Sequence, residues 1–140
     1  MDETLLEIRD YDGAGFKPLI FFDSWRVAIL RYLDELQPDR IDSMERHTET
    51  DEVFVLLRGR GTLLLGGSGT KCEGVLSQPM EIGRIYNVKR FAWHTVLLSS
   101  DASVLLVENN DTDQHNSEYD KLSTEQRAKI MEMAKTEFFM

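Results

Sequence analysis

The chain of 140 residues predicts an all-β fold, an antiparallel jelly-roll β-barrel carrying one C-terminal α-helix. Three observations point there. Short apolar runs recur from residue 16 to residue 108, parted by turns rich in Gly, Asp and Ser. Two of them, Glu52 to Arg58 and Thr62 to Gly66, flank Gly59 and Gly61 as a hairpin. Beyond residue 108 the pattern turns polar, and Ser123-Thr-Glu-Gln126 then opens a segment of helical period. Eight or more short strands with glycine-rich turns suit a barrel or sandwich.

The elements follow in order. Residues 1–15 mix charge with Gly13 and Gly15 and read as a leader with little structure of its own. Phe16 to Asp23 is a short apolar run closed by the turn signal Asp23-Ser24. Trp25 to Leu33 sets Trp25, Val27, Ile29 and Leu33 on one face, which reads as the core face of a strand. Helix is the competing reading, but β-branched and aromatic content favours strand. Asp34 to Ser43 reads as a loop around Pro38, and Met44 to Thr50 leads into the hairpin. Val75 to Ile82, interrupted by Pro79, suits an edge strand. Residues 84–88, 93–98 and 103–107 complete the barrel at 16–108. Residues 109–122 read as a polar connector and 123–139 as the helix, all within a single domain spanning 1–140. On the helix, Ala128, Ile130, Met131, Ala134 and Phe138 approximate one face. That face packs on the chain's own barrel or on a second copy.

Composition narrows the function classes. Sixteen basic against twenty-five acidic residues leave a net charge of -9, which repels phosphate backbones and argues against nucleic-acid binding. No run reaches the eighteen or so apolar residues of a membrane-spanning helix. The acidic start, Met-Asp-Glu-Thr, lacks the basic region of a signal peptide. Together these predict a cytoplasmic protein. The single cysteine, Cys72, can form no internal disulfide and reads as a bystander thiol in a loop.

The chemistry concentrates at strand starts. Glu45, His47 and Glu52 lie at the mouth of the hairpin, and His94 opens a later apolar strand. His47, four residues, Glu52, six residues, Gly59 resembles the second half of the first conserved motif of the cupin superfamily. Gly83 followed eleven positions later by His94 is similar to the second. The resemblance covers roughly residues 25–108. Several positions depart from it. Glu45 stands where the family's first histidine falls, and Asp39 where its first glycine falls. Lys89, Phe91 and Leu98 replace the proline, glycine and asparagine of the second motif.

The resemblance implies a small single-domain cupin, commonly dimeric, with a ligand site inside the barrel. His47, Glu52 and His94 would form a two-histidine, one-carboxylate set suited to Fe, Mn, Ni or Zn. Glu45 is either a fourth ligand, on the same side of the strand as His47, or a solvated carboxylate. A metal-free pocket is the alternative. Tyr32, Phe54, Tyr86, Phe91 and Trp93 are the aromatic candidates for its lining. Phe91 at a glycine position must adopt an unusual backbone or reshape the turn. Arg31, Arg46 and Arg90 could recognise a carboxylate or phosphate, or be solvated surface groups. His115 reads as a solvated loop residue. Three functions remain: a metal-dependent dioxygenase, isomerase or lyase acting on a small polar molecule, a non-catalytic binding or sensing module, and a structural homodimer with a decayed site. For the dimer, the leader or the helix end with Phe138, Phe139 and Met140 would supply the apolar contact.

Overall fold

The computed structural model describes residues 2–138, with side chains as far as residue 136. Residues 2–15 hold no strand or helix. Ten strands follow: β1 (Phe16–Phe22), β2 (Trp25–Arg31), β3 (Ser43–His47), β4 (Glu52–Arg58), β5 (Gly61–Leu65), β6 (Leu76–Pro79), β7 (Ile85–Val88), β8 (His94–Leu98), β9 (Ser103–Asn109) and β10 (Ser117–Lys121). Among the described residues one α-helix, α1 (Thr124–Phe138), follows the strands.

The strands form two antiparallel five-stranded sheets, ordered β1-β2-β9-β4-β7 and β10-β3-β8-β5-β6. Neighbours distant in sequence, such as β2 with β9 and β3 with β8, give the jelly-roll connectivity; the sheets face each other without closing into one ring. The proline-containing strand β6 does lie at an edge. Among the described residues, no helix is long and apolar enough to cross a membrane.

Two cores explain the hydrophobic pattern. Between the sheets lie Phe54, Leu56, Leu63, Val96, Val104 and Leu106. On the other side of the second sheet, Met44, Leu64, Trp93 and Leu97 meet Ile130 and Ala134 of α1. The second sheet is thus covered on both faces, so β5 is buried at four consecutive positions. In the first sheet β9 alternates strictly between buried and half-buried positions. At about 25 cal/mol per Å² of apolar surface, each fully buried Leu or Ile side chain contributes roughly 1.5–3 kcal/mol.

The helix starts as its sequence predicts. The Ser123 amide donates to Gln126 Oε1 at 2.8 Å, and the Gln126 amide donates to Ser123 Oγ at 3.1 Å. This reciprocal cap satisfies two N–H groups that the helix itself leaves free. The face is shifted from the expected one. Gln126, Ile130 and Ala134 turn inward at a spacing of four, while Ala128 is exposed. Gln126 also donates to Gly74 O at 3.0 Å, pinning the helix over the loop of Cys72. Cys72 is buried, and burial raises its thiol pKa, which disfavours the nucleophilic thiolate. The apolar contact expected of Phe138, Phe139 and Met140 lies outside the described side chains.

Two further expectations are corrected. The inward face of β2 is Arg26, Ala28 and Leu30, not Trp25, Val27 and Ile29. Ala28 is 0% exposed and pairs with Leu106, whereas Trp25 is 41% exposed. Register against β9 decides this, because inward residues must sit opposite inward residues. The polar connector 109–122 also contains β10, which pairs Ser117 with His47 and Tyr119 with Glu45. Its polar sequence hides a strand that forms the edge of the second sheet and lines a cavity on one face.

Candidate metal and ligand site

Backbone pairing assembles the site before any side chain is considered. β3 and β8 are joined at Glu45 and His94, and β10 brings Ser117 to His47. In the first sheet Val53 pairs with Val107, which sets Glu52 and Glu108 beside each other on the inward face. Arg26 pairs with Glu108 across β2 and β9. The turn between β7 and β8 is held by the Phe91 amide, which donates to His47 O at 2.9 Å. Phe91 occupies the left-handed region at φ 72°, so the phenylalanine takes the backbone conformation that the resemblance assigns to glycine.

The side chains converge. Glu52 Oε1 lies 3.2 Å from His47 Nε2 and 3.1 Å from His94 Nε2. Glu45 Oε1 is 3.8 Å from His47 Nε2. Ligand atoms of Glu45, His47, Glu52 and His94 all fall within 4.8 Å of one another. His47, Glu52 and His94 are buried, and Glu45 is half-buried at the mouth. The outer ring nitrogens are fixed as well: His94 Nδ1 meets Ala92 O at 2.9 Å, and His47 Nδ1 meets Ser117 Oγ at 2.8 Å.

This arrangement dictates the protonation of His94. A backbone carbonyl only accepts, so Nδ1 carries a hydrogen. In the neutral ring Nε2 is then a lone pair, facing the lone pairs of Glu52 Oε1. Something positive must lie between them, either a proton on the imidazole or a cation. A divalent ion with ligand bonds of about 2.0–2.2 Å separates adjacent donors by about 2.8–3.6 Å across octahedral to tetrahedral angles, a span that includes the 3.2 and 3.1 Å contacts to Glu52. Two imidazoles and one or two carboxylates are a donor set for Fe, Mn, Ni or Zn. The residues present fit such an ion.

Electrostatics favour positive charge beside Glu52. Burial disfavours the charged form of both histidines, but hydrogen bonds and charge from Glu52 outweigh it and raise both above the ordinary imidazole value. Burial likewise pushes Glu52 up, and the two histidines overcome it and hold its carboxyl well below the usual range. Glu108 shows the opposite outcome: burial and the neighbouring Glu52 charge push it up to about 8.

The surrounding cavity has a volume of about 330 Å³. Phe54, Leu106 and Val96 form apolar wall, while Arg26, Glu108, Ser117 and Tyr119 add polar groups. Of the aromatic residues expected to line it, Phe54 does so, its ring edge-on to His94 with centroids 6.0 Å apart. Tyr32 faces a separate cavity of about 700 Å³ beneath α1. That cavity is the larger, yet the cluster of His47, His94, Glu45 and Glu52 lies in the smaller one. Tyr86 packs against the core between the sheets, where its hydroxyl accepts from the Glu81 amide at 2.8 Å. Trp93 is 2% exposed on the far side of the second sheet and donates from Nε1 to Gly69 O at 2.9 Å. It precedes His94, and strand alternation sends it the other way. Phe91 lies outside the barrel on a surface depression with Asp51 and Arg90. Arg46 is a structural group, stacked 4.5 Å from the Trp93 ring centroid and paired with Glu118 at 2.9 Å. His115 is exposed and hydrogen-bonded to Asp113.

Sequence reasoning missed Glu108, Arg26, Ser117 and Tyr119. Glu108 had a readable signal, since it shares the two-residue period of Val104 and Leu106 at the end of an apolar strand.

No family model matches the sequence, and neither does any curated protein. Solved structures do. A cupin-2 domain protein of Shewanella frigidimarina superposes with a TM-score of 0.51 at 13% identity, over 71% of this chain and 85% of that one. The fold is that of the cupins. KdgF of a Halomonas species shares this cupin fold at a TM-score of 0.50 and 15% identity, over 70% of this chain and 79% of its own. Pac13 of Streptomyces, described as a nucleoside dehydratase, gives 0.55 at 9% identity, over 82% and 86%. At these identities the likeness shows the cupin fold alone.

Proposed function

We propose that this chain is a metal-dependent cupin that binds a small polar molecule in its barrel. His47, Glu52 and His94 would hold the ion, with Glu45 as a fourth donor at the mouth. The single observation that carries this reading is the meeting of two Nε2 atoms on one carboxylate oxygen while Ala92 O holds the His94 proton outside. Once bound, the ion would act as a Lewis acid on a substrate oxygen. The chain's own residues supply the rest. Ser117 and the Ala92 carbonyl orient the imidazoles. Phe54 and Leu106 exclude water from one wall. Glu108 holds a proton at neutral pH in the ion-free site, because burial and Glu52 favour its neutral form.

One observation favours a second reading, a metal-free binding barrel. With both imidazoles protonated, the His47–Glu52–His94 hydrogen bonds close on themselves without an ion. Elemental analysis of protein purified without added metal separates the two. The metal reading expects close to one transition-metal ion per chain in the wild type and none in the His47→Ala/His94→Ala double variant. A folded wild type without metal supports the second reading.

A further inference from the structure

We infer that the barrel takes an uncharged, hydroxyl-rich molecule and turns away its carboxylate and phosphate counterparts. This rests on the barrel being the ligand site, but not on the ion.

The first argument is charge. The carboxylates of Glu45, Glu52 and Asp113 line the cavity, with the carboxyl of Glu108 beside them. Among the described residues, the lining contains one Arg or Lys, Arg26. Two of its three guanidinium nitrogens are engaged, and Nε is buried without a hydrogen-bond partner. Nη1 donates to Asn110 O at 3.3 Å, Nη2 donates to Thr112 O at 2.9 Å, and Nη2 lies 3.5 Å from Glu108 Oε2. The Phe16 ring packs against it at 5.3 Å. The two histidines are turned to Glu52. An anionic ligand would therefore enter among several carboxyl groups, with one guanidinium, already drawn to two backbone carbonyls, to offset them.

The second argument is an unused polar atom. Glu108 is 5% exposed, and its Oε2 has no hydrogen-bond partner. A buried polar atom without a partner costs stability and marks a place for a missing group. A hydroxyl suits this oxygen in either state of the carboxyl, since it donates to a carboxylate and accepts from an acid. The neighbouring Thr112 and Tyr119 are themselves hydroxyl-bearing. The opposite wall, with Phe54 and Leu106, suits the C–H face of a small ring. At about 330 Å³ the cavity lies near the lower end of the roughly 300–1,000 Å³ of ligand pockets, which favours a single-ring compound.

The test is a matched panel measured by ligand-observed NMR on the full chain, with and without Mn(II). Ribose, glucose, xylitol and myo-inositol are compared with ribonate, glucuronate, xylonate and myo-inositol phosphate. The expected result is binding of at least one neutral member, at least tenfold tighter than its charged counterpart. The Glu108→Leu variant should weaken that binding by at least about tenfold. An acid that binds as tightly as its neutral partner overturns the inference, as does a panel in which no neutral member binds. Neutral binding unchanged in folded Glu108→Leu overturns the anchoring role. Should that variant not fold, the wild-type comparison alone decides. Mn(II) uptake is read on the same samples. Neutral binding without Mn(II) uptake defeats the metal reading and leaves this one standing. Mn(II) uptake with preferred binding of acids does the reverse.

Discussion

Replacing Glu52 by Gln in metal-free protein probes the heart of the site. The carboxylate accepts from two imidazole Nε2 atoms, at 3.2 and 3.1 Å. A hydrogen bond to a charged group contributes roughly 1.5–3 kcal/mol against roughly 0.5–1.5 for a neutral one. Losing charge assistance twice therefore costs about 2–3 kcal/mol. Some of this returns, because Glu52 no longer pays for its burial or repels Glu108. A net loss of about 1–3 kcal/mol is expected near pH 6. The sign of the pH dependence follows from the shifts. His47 and His94 are raised above 6.5, so their contribution is complete below that value and fades as pH rises through the raised folded values. Glu52 is lowered from 4.5, so its contribution is complete above 4.5 and is lost only as pH falls through its folded value. The difference between wild type and variant is thus largest between these limits and shrinks in alkali. Urea denaturation in EDTA at pH 6 and at pH 9 measures it. Equal stability at pH 6, or a difference that does not change with pH, would refute the reasoning.

Three other outcomes are expected. Gly59→Ala should destabilise the fold by about 2–4 kcal/mol in thermal or chemical melts, since φ is +77° and the new Cβ would stand 2.7 Å from Ala102 Cα. Ile130→Ala should cost about 2–4 kcal/mol by opening the core under α1, while ion affinity measured by calorimetry stays unchanged. Ion affinity should begin to fall on acidification at a pH above 6.5, because binding displaces protons from imidazoles that Glu52 holds in the charged form; calorimetry across pH 5.5 to 8.5 checks the onset.

The fold was legible because its strands carry period-two patterns and its helix an explicit cap. Ser123 and Gln126 alone locate the start of α1. Four residues of the candidate site were legible from motif spacing: Glu52 and His94 open β4 and β8, and Glu45 and His47 lie two residues apart at the end of β3. What escaped had physical causes. β10 is polar and earns its place through pairing with β3 rather than through burial, so no hydrophobic period marks it. The inward face of β2 was misread because Trp25, Val27 and Ile29 make the outer face of the first sheet apolar as well. That error also hid Arg26 and its partner Glu108, since charged residues were read as outward. Trp93 was misplaced because an aromatic residue next to a ligand alternates to the opposite face of the sheet, whereas Tyr86 shares the inward face of Phe54 but packs into the core away from the cavity.

The central claim is that His47, Glu52 and His94 hold one divalent ion. Isothermal titration of metal-stripped protein with Mn(II), Fe(II), Ni(II) and Zn(II) at pH 7.5 tests it most directly. The account predicts one ion per chain for at least one of these metals, with uptake lost in the His47→Ala/His94→Ala variant. Folded wild-type protein that takes up none of the four, or a double variant that binds as tightly as the wild type, would contradict it.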